Sequence, residues 1–191
     1  LGIQMGAKGL NFPNVALVGI VLADSGLMIP DFRAEERTFD LLVQVSGRAG
    51  RSSNNGHVYV QTRLKDNPAI QYASQGKVEE FFNRELEVRR ETDFPPFSRM
   101  INLVFRSTSE EKAKTTASSF ALALRNNAKD TNVFGANECP LSKIQKNYRY
   151  QVLLRSKKAS SMVSTLQKVL STNKIPSGVY LEVDVDPLDL L

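Results

Sequence analysis

The sequence predicts an α/β fold built in two parts. Over residues 14–62, an apolar run rich in β-branched residues, a stretch with helical periodicity and an alternating stretch follow one another, which is the order of a β-α-β unit. Consecutive prolines at 95–96 then interrupt a helical pattern. Beyond them the pattern changes to β-α-β-β-α-β, so an α/β unit is followed by an α+β domain.

The first part contains three predicted elements. "NVALVGIVLAD" at 14–24 predicts a buried parallel strand covered on both faces, because such strands are continuous apolar runs. "GHVYVQT" at 56–62 alternates as a strand does and follows an Asn-Gly turn. Between them, a helix is predicted over 33–51 from apolar residues at helical spacing, namely Phe39, Leu42, Val43 and Val45.

Two helical stretches connect the parts, "NPAIQYAS" and residues 77–93. "FPPF" at 94–97 ends the second stretch, because consecutive prolines cannot continue a helix. We therefore predict three segments: a first α/β domain, a helical connector and a C-terminal domain, at 1–66, 67–94 and 95–191.

The C-terminal domain contains six predicted elements. A strand at 99–107 precedes a helix at 109–127, for which Ser109 is a suitable N-cap. "NVFGANECPLSKI" and "YRYQVLLR" are strands, followed by a helix at 160–172 and a strand at 178–186. This order is the ferredoxin-like arrangement.

Composition narrows the classes of function. The chain has 191 residues and a net charge of +5, and all of the excess positive charge lies after residue 92. No stretch approaches the roughly 18 apolar residues of a membrane span, so we expect no membrane partner. Cys139 is the only cysteine and His57 the only histidine, which excludes an internal disulfide and a Cys/His zinc site and fits a reducing cytoplasm. The opening residues predict a piece of a longer protein, because they contain neither an initiator methionine nor a helix cap.

The run "QVSGRAGR" is the most informative short motif. Arg48 and Arg51 lie one helical turn apart, so both guanidinium groups can reach the same ligand. Gly47 and Gly50 leave room for a close approach to the backbone. Guanidinium forks favour a phosphate or a carboxylate. The alternative is a helix end with solvated arginines.

Several blocks together resemble one family. "GIQMGAKGLNFPNV", "PDFRAEERTFDLLVQVSGRAGR", "RRETDFPPFSR", "PLSKIQKNYRYQVLLR" and "VDVDPLDLL" occur in order over nearly the whole chain and are similar to the primosomal protein N′ family, the PriA replication-restart helicases. The resemblance implies a partial RecA-like helicase lobe followed by an α+β ferredoxin-like domain. It implies a parent that is an ATP-dependent 3′→5′ DNA helicase, which unwinds fork DNA and loads the primosome.

The resemblance also assigns residues of the helicase lobe. Arg48 and Arg51 become catalytic arginine fingers on the γ-phosphate of ATP. The ATP-binding residues that it implies are Gln44, Gly47, Gly9 and Asn11. Gln4 and Lys8 of the fifth helicase motif are implied to bind DNA, with a polar loop end as the alternative.

A basic strand near the end of the chain is a second candidate site. Residues 142–158 contain six cations and no acidic residue, which is typical of a nucleic-acid surface. We predict that this strand binds DNA through Lys143, Lys146, Tyr148, Arg149 and Tyr150, the tyrosines lying on one strand face where bases can stack. The alternatives are that the tyrosines belong to the core, or that the patch binds the acidic tail of single-stranded DNA-binding protein.

The sequence also lacks parts that a complete helicase needs. It contains no GxxxxGK[ST] phosphate loop and no DExH-type acidic box. The resemblance implies that the parent binds ATP, Mg²⁺ and zinc through segments other than this one. No cofactor is therefore expected within this chain, and the chain alone should be inactive. Asp184 and Asp186 are attributed to a strand end rather than to a metal site. The resemblance implies three kinds of partner: forked or single-stranded DNA, single-stranded DNA-binding protein and other primosome proteins. Two rival functions stay open, an inert interaction module and a repair helicase of superfamily 2.

Overall fold

A computed structural model describes residues 17–47, 49 and 56–190 of the chain. The chain divides between Val88 and Arg89 into two compact units, and each is described by itself. The predicted boundary at 94–97 lies shortly after this division. The sites predicted at Gln4, Lys8, Gly9, Asn11, Arg48 and Arg51 lie outside the described residues.

The first unit contains a small parallel sheet. Strands β1 (Leu17–Ile20) and β2 (His57–Val60) pair in parallel, with Leu17 opposite His57 and Ile20 opposite Val60. Helix α1 (Ala34–Ser46) lies between them in sequence. The strand-helix-strand order and the parallel pairing are those predicted from the apolar patterns.

The prediction that the first strand is covered on both faces was wrong. Leu17 is 61% exposed and Tyr59 is 67% exposed. The opposite face packs inward, where Ile20 and Val60 contact a small core that includes Leu42. In the described part of this unit the sheet has two strands, and the packed core lies on one side of the sheet. A strand that is apolar on both faces therefore has one apolar face that is open to solvent.

The helices of the first unit pack through aromatic rings. Phe39 of α1 is 1% exposed and stacks on Phe81, with ring centroids 3.9 Å apart. Phe81 belongs to α3 (Val78–Glu91), which follows the short helix α2 (Pro68–Ser74). Helix α1 ends at Ser46, so within the described residues it is shorter than the predicted helix at 33–51.

The second unit is a four-stranded sheet with two helices. Its elements are β3 (Arg99–Ser107), α4 (Glu110–Asn127), β4 (Asn132–Ile144), β5 (Asn147–Ser156), α5 (Ala159–Thr172) and β6 (Tyr180–Val185). The chain order is strand, helix, strand, strand, helix, strand, as the sequence pattern predicts. In the sheet the strands stand in the order β4-β5-β3-β6, and all three neighbouring pairs are antiparallel.

The core of the second unit lies between the sheet and the two helices. Alternation along β3 turns Ile101, Leu103 and Phe105 toward α4 and α5. Phe105 meets Phe120 of α4 with ring centroids 5.1 Å apart. Arg106, the next residue of β3, therefore points to the opposite face of the sheet. Ser109 caps α4 as predicted, its side chain accepting from the Lys112 backbone N–H.

In the first unit, the buried carboxylate of Asp24 forms hydrogen bonds between the segments that follow the two strands. The Thr62 hydroxyl and the Arg63 backbone N–H both donate to the Asp24 carboxylate, the latter at 2.8 Å. These hydrogen bonds lower the pKa of Asp24 below its ordinary value of 3.8, the Thr62 bond most strongly. Asp24 therefore joins the segment after β1 to the segment after β2.

We expect Asp24→Asn to destabilise the chain at neutral pH and to flatten its acid dependence. Because the folded pKa is below the unfolded one, the stabilisation is fully present above the unfolded value and is lost as the pH falls through the folded pKa. Urea unfolding at a series of pH values from neutral to about 2.5 measures this effect. Asp66→Asn, an exposed carboxylate in the same unit, is the control. If the free energy of unfolding depended on pH equally in wild type and in Asp24→Asn, the stabilising role of the Asp24 hydrogen bonds would be contradicted.

Candidate nucleic-acid interface

The predicted nucleotide cleft is represented by two described residues at the end of α1. Gln44 is exposed on the last turn of the helix, and Gly47 is exposed at its C-cap. The Gly47 N–H donates to the Val43 carbonyl at 3.0 Å. Both residues are thus accessible, and the role in ATP binding stays a prediction because its other members lie outside the described residues.

The basic strand of the second unit is part of a tight hairpin. Ile144 of β4 pairs with Asn147 of β5, and Gln145 and Lys146 form the turn between them. Both turn residues have positive φ, 48° and 68°, as in the two-residue turns that suit the twist of a hairpin. Left-handed backbone costs a residue other than glycine about 1–2 kcal/mol. The turn therefore holds two long polar side chains at an energetic cost.

Lys143 and Tyr148 form a pair across this hairpin. They are opposite each other in the register of β4 and β5. The Lys143 Nζ donates to the Tyr148 hydroxyl at 3.0 Å and lies 4.2 Å from the ring centroid. The ammonium group thus packs against the ring as a cation–π contact while both side chains stay near the surface.

Tyr150 is a core residue, and the DNA-binding role predicted for it was wrong. Its side chain is part of the main core cluster and only 4% exposed, so neither face of the ring is open to a base. The hydroxyl donates to Glu110 and Glu138 at 3.2 and 3.3 Å. Burial, followed by these carboxylates, raises the pKa of Tyr150 to about 12. The two tyrosines do share one face, but the helices cover that face at Tyr150 and leave Tyr148 only half-buried.

Arg149 points to the other face of the sheet. It is opposite Arg106 in the register of β3 and β5, and its Nη1 donates to the Leu141 carbonyl at 3.3 Å. Arg106 forms an ion pair with Glu182 of β6 and lies over the ring of Tyr180, 4.8 Å from its centroid. The predicted DNA-binding residues therefore do not form one surface, because Arg149 is separated from Lys143 and Tyr148 by the sheet.

Two further cations of the basic run have structural contacts. Arg155 donates to the Thr92 carbonyl at 2.7 Å and lies over the ring of Phe94, 5.2 Å from its centroid. The Lys157 ammonium is 3.8 Å from the Asp93 carboxylate. These side chains hold the segment that leads into β3, so the exposed cations at the hairpin remain the better candidates for ligand contact.

A pocket of about 280 Å³ lies beside the hairpin turn on the side of Arg149. Sequence reasoning missed five of its six lining residues. Two of them, Arg106 and Glu182, come close to Arg149 only through strand pairing over long sequence separations, and the other three are neutral residues of the hairpin that no motif marks. The lining residues are Arg106, Ile144, Gln145, Asn147, Arg149 and Glu182.

One carboxylate near the end of the described residues has a structural partner. Asp186 accepts hydrogen bonds from the Arg99 guanidinium, with Nε 2.8 Å from Oδ1. Within the described residues no group of three or more His, Cys, Asp or Glu side chains could hold a metal ion. The same part of the chain contains no helix long and apolar enough to cross a membrane.

The fold and the candidate site define a mixed α/β protein whose second unit carries a basic hairpin at one end of an antiparallel sheet. Residues 90–188 match the family model described as "Primosomal protein N C-terminal domain". The match covers half of the chain, and the chain belongs to this family.

Comparison with curated proteins gives the same result over the full length of the chain. It is 44% identical over 192 residues to "Replication restart protein PriA" of Treponema pallidum, covering 100% of this chain and 29% of that protein. The corresponding protein of Borreliella burgdorferi is 36% identical, with the same coverage of both chains. That of Bacillus subtilis is 39% identical, covering 98% of this chain and 24% of the relative. The chain therefore spans less than a third of the length of these relatives.

The two tyrosines of β5 should differ sharply in their effect on stability. We expect Tyr150→Ala to lower the free energy of unfolding by about 3–5 kcal/mol, as for other large aromatic residues removed from a core. Tyr148→Ala should cost about 1 kcal/mol or less, because the ring is near the surface. Urea denaturation followed by far-ultraviolet circular dichroism measures both values. Equal losses in the two variants would contradict the placement of the rings.

Proposed function

We propose that this chain is the part of a replication-restart DNA helicase that carries the end of the second RecA-like lobe and a ferredoxin-like binding domain. The observation that carries this proposal is the similarity of the whole chain to proteins named replication restart protein PriA. The parent is an ATP-dependent 3′→5′ helicase that unwinds fork DNA and loads the primosome. This chain alone does not hydrolyse ATP, because its sequence contains no phosphate loop.

In this proposal the first unit supplies one side of an ATP site. Parallel pairing of β1 and β2 around α1 supports a RecA-like lobe, because parallel strands joined through a helix are the repeating unit of such sheets. Arg48 and Arg51 follow the exposed end of α1 in sequence. The partner lobe binds ATP and Mg²⁺, and the two arginines stabilise the charge that spreads over the γ-phosphate oxygens during transfer.

The arginine assignment predicts a loss of turnover. In the full-length protein, Arg48→Ala and Arg51→Ala should each lower DNA-stimulated ATP hydrolysis at saturating ATP by about 10³-fold or more. The Kd for ATP should change much less, because the contact is made mainly in the transition state. The double variant should be little worse than the poorer single one.

Steady-state ATPase assays with single-stranded DNA, together with ATP binding measured by calorimetry, test this assignment. Lys65→Ala, an exposed cation of the same unit, is the control and should retain wild-type turnover. Near-normal kcat in the double variant would eliminate the arginines as catalytic residues.

The second unit supplies nucleic-acid contacts. Its sheet order and chain order support the ferredoxin-like assignment, and its basic hairpin supports binding to single-stranded or forked DNA. On one face of the hairpin, Lys143 contacts a phosphate and Tyr148 stacks on a base. Lys146 in the turn and Arg149 on the other face contact further phosphates of the same strand. Single-stranded DNA-binding protein, through its acidic tail, and other primosome proteins are the further partners of this domain.

DNA binding by the hairpin predicts a characteristic dependence on salt. Each phosphate neutralised adds about 0.7 to the slope of log affinity against log salt on a single strand. Lys146→Ala should therefore reduce the slope by roughly this amount. Tyr148→Ala should weaken binding and leave the slope nearly unchanged, because stacking releases no counterions.

Fluorescence anisotropy of a labelled oligonucleotide, titrated with the 191-residue chain at several salt concentrations, measures the slope. Lys168→Ala, an exposed cation on α5, is the control and should keep the wild-type slope. A full slope in Lys146→Ala would remove this residue from the DNA contact. Displacement of DNA by an acidic peptide would indicate that the two ligands share the hairpin.

A further inference from the structure

Two arginines are neighbours on the sheet face that turns away from the helices. Arg106 and Arg149 are directly opposite each other in the pairing of β3 and β5. Like charges at such positions destabilise a sheet. Glu182, the acidic residue that lines the same pocket, forms an ion pair with Arg106. The side chains around the pocket therefore carry a net positive charge, which favours an anionic ligand.

The remaining walls of the pocket are suited to a flat polar group. Gln145 and Asn147 contribute amides, which offer hydrogen-bond donors and acceptors, and Ile144 contributes an apolar surface. The volume of about 280 Å³ is close to the lower end of the range for small-molecule pockets, about 300–1,000 Å³. An anionic group joined to a small ring with polar edges is the chemistry of one nucleotide.

Glu182 distinguishes between the two kinds of anionic chain that a basic surface could bind. A carboxylate in the pocket repels the carboxylates of an acidic peptide. It accepts hydrogen bonds from the exocyclic amino groups of cytosine, adenine or guanine, as acidic side chains do when they recognise cytosine. The composition of the pocket therefore favours a nucleic acid over an acidic peptide.

The hairpin turn supports the same conclusion. Gln145 and Lys146 adopt left-handed backbone conformations, for which Asn-Gly is the usual sequence. Gln145 contributes to the pocket wall, and Lys146 lies beside it in the turn. The strained turn thus presents a long amide to the pocket and carries a cation at the next residue, whereas Asn-Gly would provide neither a long amide nor a cation.

We propose that this pocket binds one nucleotide of single-stranded DNA. The phosphate lies between Arg106 and Arg149, and the edge of the base meets Gln145, Asn147 and Glu182. The proposal deepens the DNA-binding role assigned above and rests on it. Thymine has a carbonyl oxygen, O4, at the position of the exocyclic amino group of cytosine. Because a carboxylate repels this oxygen and accepts from the amino group, the pocket prefers cytosine over thymine.

The central test removes a guanidinium without changing net charge. The double variant Arg106→Gln/Glu182→Gln has the wild-type charge, so its non-specific attraction to DNA is preserved. We expect it to bind a labelled oligo(dC) about tenfold more weakly than wild type in the 191-residue chain. Arg149→Gln should show a similar loss, whereas Lys114→Gln on α4, on the helix side of the sheet, should change affinity less than twofold.

Base preference is tested with oligo(dC) and oligo(dT) of equal length. Wild type should bind oligo(dC) several-fold more tightly. Glu182→Gln, which gains one unit of positive charge, should bind oligo(dT) more tightly than wild type and show a smaller preference for oligo(dC). An unchanged preference would overturn the contact between Glu182 and the base.

The turn provides an independent test. Replacing Gln145 and Lys146 with Asn and Gly should raise the thermal unfolding temperature, because these residues suit the turn. The same variant should bind oligo(dC) at least fivefold more weakly. Higher stability with unchanged affinity would overturn the role of the turn. Arg106 and Glu182 are 37% and 52% exposed, so their variants should keep the wild-type circular dichroism spectrum.

The outcomes separate this proposal from the function on which it rests. If wild type binds no single-stranded DNA, the DNA-binding role itself fails, and the pocket proposal fails with it. If wild type binds but both arginine variants bind equally well, DNA binding stands and the pocket proposal is overturned. If the arginine variants lose an acidic peptide and keep DNA, the pocket is a peptide site, which also overturns the proposal.

Discussion

The register between β3 and β5 is the constraint on which the second unit depends. Phe105 is opposite Tyr150, and both rings lie in the core beneath α4. A slip of one residue would move every side chain of a strand to the other face of the sheet. Burial of Phe105 against Phe120 opposes such a slip, because it would expose large apolar side chains. The same register brings Arg106 opposite Arg149, so the core and the charged pair are determined together.

The elements of the second unit could be predicted because their signals are local. Strand alternation and helical spacing are visible within ten to twenty residues, and β3 begins and ends where the sequence pattern predicts, at Arg99 and Ser107. Contacts between distant segments were not predictable in this way. Arg106, Arg149 and Glu182 lie on three strands, and their proximity follows from two antiparallel registers that no motif specifies. The pocket was therefore missed although each strand was recognised.

How deeply individual strand residues are buried was also misjudged from the sequence. Tyr148 and Tyr150 have the same chemistry and the same face, and they differ only in how far the helices cover that face. The continuation of the alternation through Val152 and Leu154 is a signal that could have identified Tyr150 as core. In the first unit the error was of the opposite kind. A run apolar on both faces predicts two covering layers, yet Leu17 is exposed in the described structure.

Glu182 explains how a pocket with two arginines can select its ligand. An unopposed pair of guanidinium groups attracts any anion, including carboxylates and free phosphate. Pairing with Glu182 orients Arg106 and reduces this general attraction, while the carboxylate adds a requirement for a hydrogen-bond donor on the ligand. Specificity is a difference between affinities and is improved by groups that disfavour the wrong ligand. A carboxylate within a basic pocket thus reduces overall affinity for anions and increases discrimination among them, which is the combination needed to recognise a base as well as a phosphate.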